Sequence, residues 1–103
     1  MYATIRRYEG VDQARMDEVV GKVNATLVPQ LRKLPGFAGY YLIETAEGVV
    51  SSLGLFETCE QAEESGKLAS KWIDDEQFSA AIPSAPKVTS GKVVAQSNGV
   101  TVS

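Results

Sequence analysis

Residues 34–64, LPGFAGYYLIETAEGVVSSLGLFETCEQAEE, decide the fold of this chain. They read as strand, tight turn, strand and helix start. Strict alternation puts Phe37, Tyr41 and Ile43 on one side of the first strand and Ala38, Tyr40 and Leu42 on the other. In the second strand Val49, Leu53 and Leu55 alternate with Val50, Gly54 and Phe56. An antiparallel sheet with one face in water shows one polar side, and these strands show none. Both faces therefore require a cover. A chain of 103 residues has helix enough for one face, and a second copy of the chain is the simplest cover for the other.

Working outward, residues 2–8, YATIRRY, form a first strand rich in aromatic and β-branched types. Asp12 is placed to cap a helix. Met16, Val19, Val20, Val23, Leu27, Val28, Leu31 and Leu34 then recur at three- and four-residue steps, one apolar stripe on a long helix. Pro29 should kink it and Pro35-Gly36 should stop it. After the hairpin, Thr58 and Gln61 form a capping box for a second helix, whose apolar side holds Ala62, Ala69, Trp72 and Ile73. Phe78 and Ile82 extend that side beyond Asp74-Asp75-Glu76. Residues 87–96 read as a last strand with a bulge at Gly91. The order β-α-β-β-α-β is the split ferredoxin-like pattern, an α+β class. Right-handed crossovers put both helices on one face of a four-stranded antiparallel sheet, with strands one and three central. We take residues 1–96 as one domain and 97–103 as a flexible tail.

Composition narrows the function. Net charge is −3 and no basic stripe appears, which argues against nucleic acid as a partner. No segment approaches the roughly 20 apolar residues of a membrane span, and MYATIRRY lacks the order of a signal peptide, so a cytoplasmic location is expected. The chain has no histidine and one cysteine. Zinc is thereby disfavoured, a Ser-His-Asp or Cys-His device within the chain is excluded, and the expectation is no metal and no cofactor. Cys59 opens the second helix, where amide dipoles favour a thiolate, but Glu57, Glu60, Glu63 and Glu64 oppose it.

The stretch Leu34-Pro35-Gly36-Phe37 leading into Gly39-Tyr40-Tyr41, the glycine turn, Phe56-Glu57-Thr58 and a following helix with Trp72 resemble the antibiotic-biosynthesis-monooxygenase-like family over residues 1–96. The resemblance implies a homodimer joined through the open sheet faces, a dimeric α/β barrel, with a pocket in each subunit between sheet and helices. It implies either of two activities. One is cofactor-independent oxygenation of a small aromatic, quinol or polyketide-like compound. The other, haem degradation, goes in that family with an Asn on the first strand and a Trp and a His on the second helix. Trp72 matches the Trp, but the first strand has no Asn and the chain no His.

Four residues are candidate ligand contacts. Trp72 offers either a flat wall for a ring or an ordinary core residue, and Phe78 the same. One of Arg6 and Arg7 must face the helices. The smaller set Ala3, Ile5 and Arg7 is placed there, making Arg7 either the anion contact or the partner of Glu44 or Glu57. Tyr40 and Tyr41 straddle their strand, and Tyr41 is the candidate proton handler. A base, if there is one, would be Glu44 or Glu57. The alternative function is a non-catalytic dimeric module that binds a small apolar ligand or serves structure alone.

Overall fold

The computed structural model describes residues 1–97. The tail expected over 97–103 therefore falls, apart from Ser97, outside the described residues. Four strands make one antiparallel sheet in the order β2-β3-β1-β4, with β1 spanning Tyr2–Tyr8, β2 Phe37–Ala46, β3 Val49–Phe56 and β4 Lys87–Lys92. Strands one and three are central, as the ferredoxin-like order requires. β4 runs in unbroken register against β1, from Lys92 opposite Tyr2 to Lys87 opposite Arg7. It is thus shorter than residues 87–96, and Gly91 makes no bulge. The bulges lie in β2 instead, at Ala38 and Thr45.

The first helical arm is segmented. Asp12 caps it by accepting from the Ala14 amide at 3.0 Å. A 3-10 turn, Gln13–Arg15, leads into α1 (Met16–Lys22), a π turn (Val23–Leu27) and α2 (Val28–Arg32). Pro29 has no amide hydrogen, and its ring would strike the carbonyl four residues back in a continuous α-helix. The wide turn just before it, closed by the Val28 amide on the Val23 carbonyl, takes up that conflict. Freed carbonyls find side chains: Gln30 Nε2 donates to the Thr26 carbonyl at 2.9 Å, and Thr26 Oγ1 to that of Lys22 at 2.9 Å. The stripe survives the break, and Val19, Val23, Leu27 and Leu31 are all buried.

Two glycines have positive φ for structural reasons. Gly48 (φ 71°) turns the β2–β3 hairpin, and its carbonyl accepts from the Val11 amide at 3.0 Å, tying the hairpin to the start of the helical arm. Gly36 (φ 75°) follows α2. A Cβ there would strike the Gln61 side chain, and the Gly36 carbonyl accepts from the Glu57 amide at 3.0 Å. Gln61 in turn completes the capping box of α3 (Cys59–Asp75), accepting from the Thr58 amide at 3.0 Å while Thr58 Oγ1 accepts from the Gln61 amide at 3.2 Å. The two segments that carry the family resemblance therefore meet in one joint.

Helices and sheet enclose a core of Val19, Val23, Leu27, Leu31, Trp72, Phe78 and Ala81. α3 ends at Asp75, and Gln77 (φ 60°) reverses the chain so that Phe78 folds back under Trp72, ring centroids 5.4 Å apart. No helix among the described residues is long and apolar enough to cross a membrane.

Candidate functional site

The register decides which side chains face the helices. Tyr2, Thr4, Arg6 and Tyr8 of β1 stand opposite Phe56, Gly54, Ser52 and Val50 of β3, and the β3 set is buried. This corrects the face assigned to the arginines. Arg6 lies under the helices, and its Nη1 donates to the Gly66 carbonyl of α3 at 3.1 Å. Arg7 lies on the open face, half in water, 3.4 Å from Glu9 and not beside Glu44 or Glu57. The reason is space: Gly54 and Ser52 leave a hollow that the larger set, Thr4, Arg6 and Tyr8, can occupy. The bulge at Ala38 also moves Phe37 onto the helix side, edge-on to Phe56 at 5.8 Å. Tyr40 and Leu42 share that side, while Tyr41 is 59% exposed on the open face.

A chamber lies between sheet and helices, with about 60 Å³ reachable by water. Val19, Leu27, Leu31, Phe56 and Trp72 give it apolar walls, and Thr4, Arg6, Tyr8, Tyr40 and Ser52 are polar residues that also line it. At 10–15 Å³ per water-sized group, that space takes roughly four to six such groups, about one flat ring. It is smaller than the ~300–1,000 Å³ of pockets for larger ligands. Two wider spaces adjoin it. A vestibule of about 310 Å³ between β2 and the helical arm shares Met16, Val23, Tyr40, Leu42 and Val50 with the chamber and adds Asn24 and Glu44. A groove of about 510 Å³ between α3 and β4 shares Thr4 and Arg6.

The chamber has one strongly perturbed phenol. Burial pushes Tyr40 up to about 12, and neighbouring Tyr8 adds to the rise, while a hydrogen bond with Ser52 and the charge of Arg6 act against it. Near neutral pH Tyr40 is a firm proton donor and not a base. Among the described residues no carboxylate lines the chamber, and Glu44 and Glu57 are both exposed. Trp72 forms one wall with its indole N–H held, donating to Thr26 Oγ1 at 2.7 Å. That bond joins the π turn to α3 and fixes the plane of the ring. Phe78, 1% exposed, packs behind Trp72 and does not line the chamber. Cys59 lies outside as well, with Sγ 3.7 Å from Glu63 Oε1. Tyr2 leans on that thiol, and a hydrogen bond to Cys59, with its charge, raises the phenol above its ordinary value.

Of the four sequence candidates, then, the structure brings only Trp72 to the chamber. Arg6, Tyr40 and Ser52 are the polar residues that sequence reasoning passed over. A signal for the first was present: a glycine inside a helix, Gly66, marks a close approach by another group.

No family model and no curated protein matches the sequence. Solved structures do. A candidate antibiotic biosynthesis monooxygenase from Nitrosomonas europaea superposes with a TM-score of 0.73 at 14% identity, covering 94% of this chain and 93% of that one. The chain has the antibiotic-biosynthesis-monooxygenase-like fold. The Streptomyces coelicolor monooxygenase from the gene ActVA-Orf6, in complex with nanaomycin D, has the same fold (TM-score 0.70, 13% identity, 96% and 92% covered). So does an MhuD mutant carrying two manganese protoporphyrin IX molecules per active site (TM-score 0.73, 18% identity, 96% and 100% covered). The chain has no histidine to ligate the metal of a porphyrin.

Proposed function

We propose that this chain works as a cytoplasmic homodimer that binds a small aromatic, quinol or polyketide-like ring between sheet and helices and oxygenates it without a bound cofactor. The observation that carries the reading is the chamber, an apolar hollow lined by Tyr40, whose phenol burial keeps neutral, and by Arg6. An electron-rich ring, once deprotonated, supplies its own electrons to dioxygen. For a ring methylene flanked by aromatic carbons, CH2 and O2 become C=O and water. Arg6 favours the anionic form of the bound ring, and Tyr40 donates a hydrogen bond to the oxygen that gathers charge. The proton leaves through the vestibule, where Glu44 stands.

The dimer half of the reading rests on the open sheet face. Ile5, Tyr41 and Ile43 are 42%, 59% and 48% exposed there, with Leu53 and Leu55 half-buried between them. Such a contiguous apolar patch marks an interaction surface.

One observation favours a second reading, a non-catalytic binding module: the chamber contains no carboxylate and the chain no imidazole to act as base. Oxygen uptake with a panel of hydroquinones and anthrones separates the two. Uptake above buffer that drops by about ten-fold or more in Tyr40→Phe supports the oxygenase, since losing one preorganised donor costs that much. Ring binding with no uptake would leave the binding module.

A further inference from the structure

Among the described residues Arg6 is the one charged residue lining the chamber, and it lines the α3–β4 groove as well. It is half-buried, and among the described residues no carboxylate pairs with it. Its named hydrogen bond is to a neutral backbone carbonyl, that of Gly66. A guanidinium has five N–H donors. None of its nitrogens is sealed from solvent without a partner, and Gly66, which its Nη1 meets, lines the groove. Holding a cation partly out of water without an anionic mate is unfavourable. The fold nevertheless makes room for it: Gly66 is a notch on α3, and a Cβ there would strike the Arg6 guanidinium. Around the groove stand Lys67, Ser70 and Ser90, with Ser90 Oγ 3.2 Å from Thr4 Oγ1. Glu63 lines it too and opposes any anion, a doubly charged one most, so that the pull on a single carboxylate has to come from Arg6.

We propose that Arg6 is a specificity-determining residue and that the ligand is an aromatic carboxylate, with its ring in the chamber and its carboxylate in the α3–β4 groove against the Arg6 fork. This rests on the ring-binding reading above and names its substrate class. The chamber holds about one ring, so any further substituent must reach beyond it, and Arg6 is the cationic residue of the wall it shares with the groove. A flat, singly charged carboxylate matches the planar donors of arginine. The Glu44-lined vestibule is left for neutral or cationic substituents and for the proton.

The test is calorimetric titration with benzoate and its neutral isostere benzamide, each a single ring of the size the chamber takes. Wild-type protein should bind the carboxylate about ten-fold or more tightly than the amide, the size of a charge-assisted hydrogen bond. In Arg6→Met that preference should fall to about two-fold or less. Equal binding of the two probes by wild type, or a preference that survives in Arg6→Met, overturns the inference while leaving the ring site standing. Binding of neither probe overturns both. Should Arg6→Met not fold, amide chemical shifts in the wild-type protein decide. Benzoate should move Gly66 and Ser90 and benzamide should not, and the absence of a carboxylate-specific change there sinks the proposal.

Discussion

Gly66→Ala tests the notch thermodynamically, because two effects of known sign oppose each other at that position. Alanine in place of glycine inside a helix stabilises by about 0.5–1 kcal/mol. The new Cβ, however, would occupy the space of the Arg6 guanidinium, whose Nη1 now donates to the Gly66 carbonyl at 3.1 Å. Arg6 is the far end of a flexible side chain and can swing away, so the steric cost is small and the loss is the hydrogen bond. A bond from a charged donor contributes about 1.5–3 kcal/mol, and the lower end applies here because the groove admits water. The net change is a loss of roughly 0.5–1 kcal/mol, or about 2–8 °C in Tm for a domain of this size. In an Arg6→Met background the opposing effect is gone, and Gly66→Ala should stabilise by about 0.5–1 kcal/mol. The sign should thus reverse between backgrounds, with a coupling of about 1.5 kcal/mol from the double-mutant cycle. Urea unfolding followed by circular dichroism measures all four proteins. If Gly66→Ala stabilised both backgrounds equally, the guanidinium would not sit in the notch, and the account of Arg6 would fail.

The remaining predictions address the core, the phenol and the open face. Thr26→Val leaves the buried Trp72 indole N–H without its acceptor and should lower unfolding free energy by about 1–3 kcal/mol, with a smaller penalty in a Trp72→Phe background. Tyr40, pushed up to about 12 by burial, keeps its proton when folded over a range where the unfolded chain loses it near 10. Its contribution is fully present below pH 10 and is lost as pH rises toward 12, a fall of about 3 kcal/mol that Tyr40→Phe should abolish in urea melts across that window. Ile43→Glu places a charge on the apolar sheet face, twice over in a symmetric dimer. Sedimentation at micromolar concentration should then find single subunits, and a dimer that persists would show that another surface joins the copies.

What the sequence made legible was local. Asp12 and the Thr58–Gln61 pair announce helix starts because each satisfies its own neighbouring amides, and both caps form. Strand order follows from the element order and crossover hand. The faces were not legible. A strand that is apolar on both sides carries no polar alternate to say which side is inward, so Arg7 and Tyr41 were favoured where the register puts Arg6 and Tyr40 inward. Alternation also assumes an unbroken strand, and the bulge at Ala38 brings Phe37 and Tyr40 onto one face despite their odd spacing. Pro29 signalled a break in the arm but not its form, because a kink and a π turn answer the same missing amide. The clue to the chamber was the pair Ser52 and Gly54, small residues across from Arg6 and Thr4, and its meaning depends on a partner strand that is distant in sequence.

The joint of Gly36, Glu57 and Gln61 bears on how chains of this type are recognised. Its members line neither the chamber, the vestibule nor the groove. That corner can lock hairpin, arm and α3 together whatever chemistry the hollow performs. Searches seeded on it will therefore gather proteins of common shape and divergent trade, and sorting them by reaction will require comparing the positions that correspond to Arg6, Tyr40, Ser52 and Gly66.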